Sequence, residues 1–120
     1  MEKVDTTWRI FGIYVLVILF MLLGSAASGQ IKIAQFNAEW NKGNEVKWID
    51  SLDDCQTFTY IDINTQKEAQ KKYKIAVIPT IIIFKDNVEV ARFQADLSFK
   101  MVATREEVQE EIDNQLMSDF

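Results

Sequence analysis

The apolar and polar positions divide the chain into two unlike parts. Residues 10–23 form an apolar run broken only by Gly12, with Lys3 and Arg9 before it and Gly24-Ser25-Ala26-Ala27-Ser28-Gly29 after it. Beyond Gln30, short apolar runs alternate with polar stretches at periods of two or about 3.6, the signatures of strands and amphipathic helices. Ile31-Lys32-Ile33-Ala34-Gln35-Phe36 predicts a buried strand and residues 37–44 a loop. Val46, Ile49 and Leu52, with Trp48 beside them, fall on one side of a helix predicted over 45–54. Residues 58–63 read as a second strand and 65–73 as a short helix. Residues 75–84 are an apolar run interrupted by Pro79. Lys85-Asp86-Asn87 predicts a hairpin turn in which Asn87 tolerates positive φ, and 88–93 returns antiparallel. Thr104-Arg105-Glu106-Glu107 is a capping box that opens a last helix, with Val108, Ile112 and Leu116 as its core stripe. The order βαβ, short helix, ββ, α predicts an α/β sandwich around a mixed four-stranded sheet.

The first 29 residues are expected to be a signal peptide or a signal anchor, and 30–120 the folded domain. An apolar run of about 14 residues suits the core of a secretory signal, and Ala27-x-Gly29 supplies small residues where a signal peptidase reads. Residues 8–27 also reach the roughly 20 residues of a membrane-spanning helix, with Trp8 at the interface. Both readings stay open, and both put the domain outside the cytosol, periplasmic or extracytoplasmic.

Composition narrows the chemistry. The chain has no histidine, which excludes Ser-His-Asp and Cys-His catalytic groups and imidazole metal sites. Its one cysteine, Cys55, excludes an internal disulfide and multi-cysteine zinc or iron–sulfur centres. No metal and no cofactor is expected. Basic and acidic residues balance at ten each over 30–103, and 104–120 holds one basic and six acidic, so the net charge of −5 comes from the C-terminal segment. No basic stripe is interleaved with aromatics, which argues against nucleic acid as a partner. Lys67, Lys71, Lys72 and Lys74 read as the solvated face of the short helix.

Several strings at consistent mutual spacing resemble the thioredoxin family. Phe36-Asn37-Ala38-Glu39-Trp40 stands where that family has F-W-A-E-W, and Tyr60-Ile61-Asp62-Ile63 resembles its K-V-D-V strand. Tyr73-Lys74-Ile75-Ala76-Val77-Ile78-Pro79-Thr80 matches the Y-x-I-x-x-I/V-P-T run that carries the family's cis-proline, and Phe84-Lys85-Asp86-Asn87 its F-K-x-G turn. The resemblance covers residues 31–116 and lacks the family's first strand and helix. It implies a thioredoxin-like three-layer α/β/α sandwich.

It also implies a disarmed site. Where the family has C-G-P-C, this chain has Asn41-Lys42-Gly43-Asn44. The family's buried acid corresponds to Gln35 and its nearby lysine to Tyr60. Asparagine cannot attack a disulfide, but it is a good helix N-cap, so Asn41 is expected to keep the helix start without its chemistry. A redox-inactive module is therefore expected, with no catalytic residue. What the resemblance leaves is a peptide-binding groove at Trp40, Asn41, Asn44, Ile78 and Pro79, where a polypeptide pairs with backbone. Retention of Trp40 and Pro79 for packing alone is the competing reading.

The alternation Phe93, Ala95, Leu97, Phe99, Met101 departs from the family. It predicts either a prolonged strand or overlying loop, or an apolar edge in which Leu97, Phe99 and Met101 dock a partner or a second copy as a homodimer. Cys55 is expected to fill core space. Three functions are carried: a polypeptide-binding or assembly module, an accessory subunit of a membrane complex anchored through residues 8–27, and a thiol oxidoreductase working through Cys55.

Overall fold

The computed structural model describes residues 29–118. The expected signal or anchor lies outside the described residues. Four strands, β1 (Ile31–Asn37), β2 (Thr57–Asp62), β3 (Thr80–Lys85) and β4 (Val88–Gln94), and two α-helices, α1 (Lys67–Lys72) and α2 (Arg105–Met117), carry the fold. The sheet order is β2-β1-β3-β4, with β1 parallel to β2 and antiparallel to β3, and β3 antiparallel to β4. This is the mixed four-stranded sheet expected from the pattern. Among the described residues no helix is long and apolar enough to cross a membrane.

β1 and β3 are central and buried along almost their whole length, which accounts for their near-continuous apolar sequence. Each face of the sheet carries its own core. On one side Ala34, Phe36, Ile61, Ile82 and Phe84 pack beneath α1 through Ala69, with the Tyr73 ring 5.4 Å from that of Phe36 and 5.7 Å from that of Phe84. On the other, Ile31, Ile33, Ile81 and Ile83 meet Val46 and Leu52 and, from α2, Val108 and Ile112. Helix, sheet and helix thus make three layers.

The turn between β3 and β4 places both Asp86 (φ 52°) and Asn87 (φ 68°) in the left-handed region, as a tight two-residue hairpin requires. The Asp86 carboxylate also accepts the backbone N–H groups of Gly29 and Gln30 (3.2 and 3.1 Å), tying the start of β1 to this turn. At α2 the capping box forms as read: Thr104 Oγ1 accepts from Glu107 N, and Glu107 Oε1 accepts from Thr104 N.

One expected element is absent. Residues 45–54 do not form a helix; the segment has only a 3-10 turn over Trp48–Ser51, preceded by another over Glu39–Asn44. Val46 and Leu52 are nevertheless buried, and Trp48 and Ile49 half-buried, because side chains hold the backbone where a helical ladder would have done so. Gln35 Oε1 accepts from Val46 N (2.7 Å) while Gln35 Nε2 donates to Val46 O (3.1 Å). Gln109 of α2 grips Asp53 in the same two-point manner, at 2.7 and 3.1 Å. The tertiary contacts override a periodicity carried by residues of modest helix propensity.

Candidate functional site

The site forms where β1 ends and the chain turns over Ala38 into the Glu39–Asn44 segment. Asn37 is fully buried and Asn41 is 5% exposed. Asn41 Nδ2 donates to Asn37 Oδ1 (3.0 Å) and to the backbone oxygen of Phe99 (3.2 Å). Asn41 Oδ1 accepts from Asn44 Nδ2 (2.8 Å), and Asn37 Nδ2 reaches back to Asn41 O (3.3 Å). Tyr60, on β2, lies beside this cluster, and burial, Glu45 and Asp62 push the pKa of its hydroxyl up. The result is a closed polar network with its capacity spent internally, the condition under which buried amides stabilise rather than cost.

Asn41 is not the helix cap that the resemblance implied. Its backbone (φ −110°, ψ 18°) is non-helical inside the 3-10 segment, and the cap position is Ala38, without a side-chain cap bond. No regular helix follows for it to cap, and its amide is committed to Asn37, Asn44 and Phe99. Gln35, at the position of the family's acid, is 2% exposed and is wholly engaged with Val46.

The loop opposite is held by several contacts. The Ile78–Pro79 bond is cis. Thr80 Oγ1 donates to Val77 O (2.6 Å), and the Arg92 guanidinium, paired with Glu89, donates to the carbonyls of Tyr73 (2.7 Å) and Lys74 (3.1 Å). Ile78 and Pro79 are both buried, and Ile78 belongs to the core beneath α1. Of the five expected groove residues, Asn41, Ile78 and Pro79 therefore present little surface, Asn44 is half-buried, and Trp40 is 62% exposed.

The segment after β4 supplies what those residues do not. The alternation over 93–101 does not continue as a strand: β4 ends at Gln94, and a loop closes through an isolated Ala95–Met101 bridge. Asp96 organises it, its Oδ1 accepting from Ser98 N, Ser98 Oγ and Lys100 N at 2.9, 2.6 and 3.2 Å. Those bonds, the Ser98 hydroxyl foremost, hold the exposed Asp96 carboxyl below its ordinary pKa. Phe99, at φ 65°, is thereby turned onto Trp40, the rings 5.2 Å apart and perpendicular. Phe99 is 40% and Leu97 92% exposed, whereas Met101 turns inward to the core beneath α2. Trp40 and Phe99, expected on two separate surfaces, are in contact. Asn37 was missed from sequence: it ends strand β1, while Asn41 and Asn44 lie in the irregular turn that follows, so no single periodicity links the three.

Cys55 lies in the irregular stretch after Asp54 (φ 65°), half-buried against the core beneath α2. Burial, with Asp54, Asp53 and Asp113 nearby, pushes its thiol up to about 12. Among the described residues no group of three or more cysteine or acidic side chains is placed to hold a metal ion.

The fold is similar to those of solved thioredoxins. A mutant thioredoxin from Halobacterium salinarum NRC-1 superposes with a TM-score of 0.59 at 17% identity, over 73% of this chain and 76% of that one. Thioredoxin NaTrxh from Nicotiana alata gives 0.61 at 18% identity, over 81% and 82%. The Fasciola hepatica thioredoxin gives 0.53 at 22% identity, over 73% and 83%. No protein-family profile matches the chain. No curated protein sequence matches it either. At these identities the likeness is one of fold: the chain has a thioredoxin-like α/β fold.

Proposed function

We propose that this thioredoxin-like domain is a redox-inactive module, exported or membrane-anchored, that binds polypeptide at the surface made by Trp40, Leu97 and Phe99. The observation that carries the reading is the perpendicular Trp40–Phe99 pair, left exposed together with Leu97 beside an amide network that is internally satisfied. Exposed aromatics on a fixed loop supply contact area at low entropic cost, and Trp is among the residues that dominate binding surfaces. Asn41 and Asn44 offer no thiol, and Cys55 is held protonated at neutral pH, so the domain has no thiolate with which to attack a disulfide. The apolar run over 10–23 and the small residues after it support an extracytoplasmic address.

A photo-reactive amino acid at position 97 in the full chain tests this in the native membrane or periplasmic fraction. A cross-linked polypeptide is expected, and Trp40→Asp should abolish the adduct. Insulin reduction by dithiothreitol should proceed no faster with the protein than without it. An adduct indifferent to Trp40→Asp, or a clear acceleration of insulin reduction, would overturn the reading.

A further inference from the structure

The two outer strands of the sheet are built differently. β4 carries Glu89 and Arg92 and pairs with β3 through an irregular register at Ile83/Phe84, both devices that discourage edge pairing. β2, Thr57-Phe58-Thr59-Tyr60-Ile61-Asp62, has neither a lysine nor a proline nor a bulge, and Asp62 is its only charge. Among the described residues its outer side carries no strand.

β2 also lacks full cover on one face. Phe58 stands beside Ile33 and Tyr60 beside Gln35 in the parallel register, so both aromatics point to the α2 side. The short turns that replace a helix over 45–54 cover β1 there but leave Phe58 37% and Tyr60 40% exposed. Between these rings and Val46 and Ile49 lies a groove of about 320 Å³. Its rim is acidic: Glu45 and Asp50 line it against one cation, Lys47, and Glu39 and Asp62 join Glu45 in acting on the Tyr60 hydroxyl.

We propose that the β2 edge takes up an extended polypeptide whose side chains facing α2, at alternate positions, are aliphatic in the middle and basic at the ends. The backbone of such a strand continues the ladder, its aliphatic residues enter the Phe58–Tyr60 groove, and its cations meet the carboxylates of the rim. This surface is distinct from the one at Trp40 and Phe99 and does not depend on it.

The probe is a fluorescein-labelled nine-residue peptide with lysine at both ends, valine at the three odd positions between them and threonine at the even ones, titrated into the full chain and read by anisotropy and by amide hydrogen exchange. Saturable binding is expected, with protection gained over 57–62. Peptides with alternate backbone amides N-methylated, or with every lysine replaced by glutamate, should bind roughly tenfold or more weakly. Phe58→Asp should weaken binding likewise without changing the melting temperature, and Phe58→Ser serves if the aspartate variant fails to fold. Trp40→Asp should leave binding intact. The proposal fails if N-methylation has no effect, or if Trp40→Asp abolishes binding while Phe58 variants keep it. It fails equally if the outward-facing amides of 57–62, those that do not bond β1, are already protected without peptide, whether by a second copy of the chain or by residues before Gly29.

Discussion

Replacing Asn41 by alanine tests whether the asparagine network holds the site together. The substitution removes two donated hydrogen bonds, to Asn37 Oδ1 and Phe99 O, and one accepted from Asn44 Nδ2. At about 1 kcal/mol net for each, with a further 1 kcal/mol or so for leaving the buried Asn37 oxygen short of a donor, the loss is about 3–4 kcal/mol. That is a large share of the roughly 5–15 kcal/mol available to a small domain. It corresponds to a fall in melting temperature of about 12–32 °C for a domain of this size. Asn44→Ala, which removes a single part-buried bond, should cost about 1 kcal/mol. The pair should be non-additive, because the Asn41–Asn44 bond is lost in either single variant. Asn41→Cys, which writes the thioredoxin residue back, should cost nearly as much as alanine, since a thiol is a weak donor and acceptor. Urea unfolding of the full chain measures all four. If Asn41→Ala costs no more than Asn44→Ala, the network is incidental and the site is held by the loops around it.

Gln35→Glu should destabilise at neutral pH and recover on acidification. The buried carboxylate cannot donate to Val46 O and loses its hydration on burial, so its folded pKa rises above the unfolded one. The stability is present below the unfolded glutamate value and is lost as pH climbs through the folded value, which urea midpoints across pH would trace. Asp96 has the opposite sign: its depressed carboxyl favours the folded loop above its unfolded value, and that preference disappears as pH falls through the folded one. The Trp40 indole N–H resonance should shift in that acid range as Phe99 is released, and Asp96→Asn should remove the response. Native Cys55, with its thiol pushed up to about 12, should alkylate with iodoacetamide at least tenfold more slowly than in urea, followed by mass spectrometry. Thr104→Ala should cost about 1 kcal/mol by opening the capping box of α2, measured as a urea midpoint.

Much of the fold is legible in the one-dimensional pattern because its strongest elements announce themselves locally. The continuous apolar run of β1, the left-handed residues of the Asp86-Asn87 turn and the capping box at Thr104 are each specified within a few neighbouring residues. The absence of histidine and of a second cysteine likewise belongs to the sequence alone, and it removes whole classes of chemistry before any coordinate is known. The segment over 45–54 shows where local information ends. Its period is helical, but Gln35 and Gln109, distant in sequence, take the backbone groups of Val46 and Asp53 and decide the conformation. The candidate site was legible only in pieces, because Trp40 and Phe99 are 59 positions apart and meet through a loop that Asp96 folds with its own side chain. Sequence determined which residues could cap, turn, bury or react. Tertiary structure decided which of them share a hydrogen bond or a face, since those partners come from β1, β2 and the loop after β4 and are neighbours only in space.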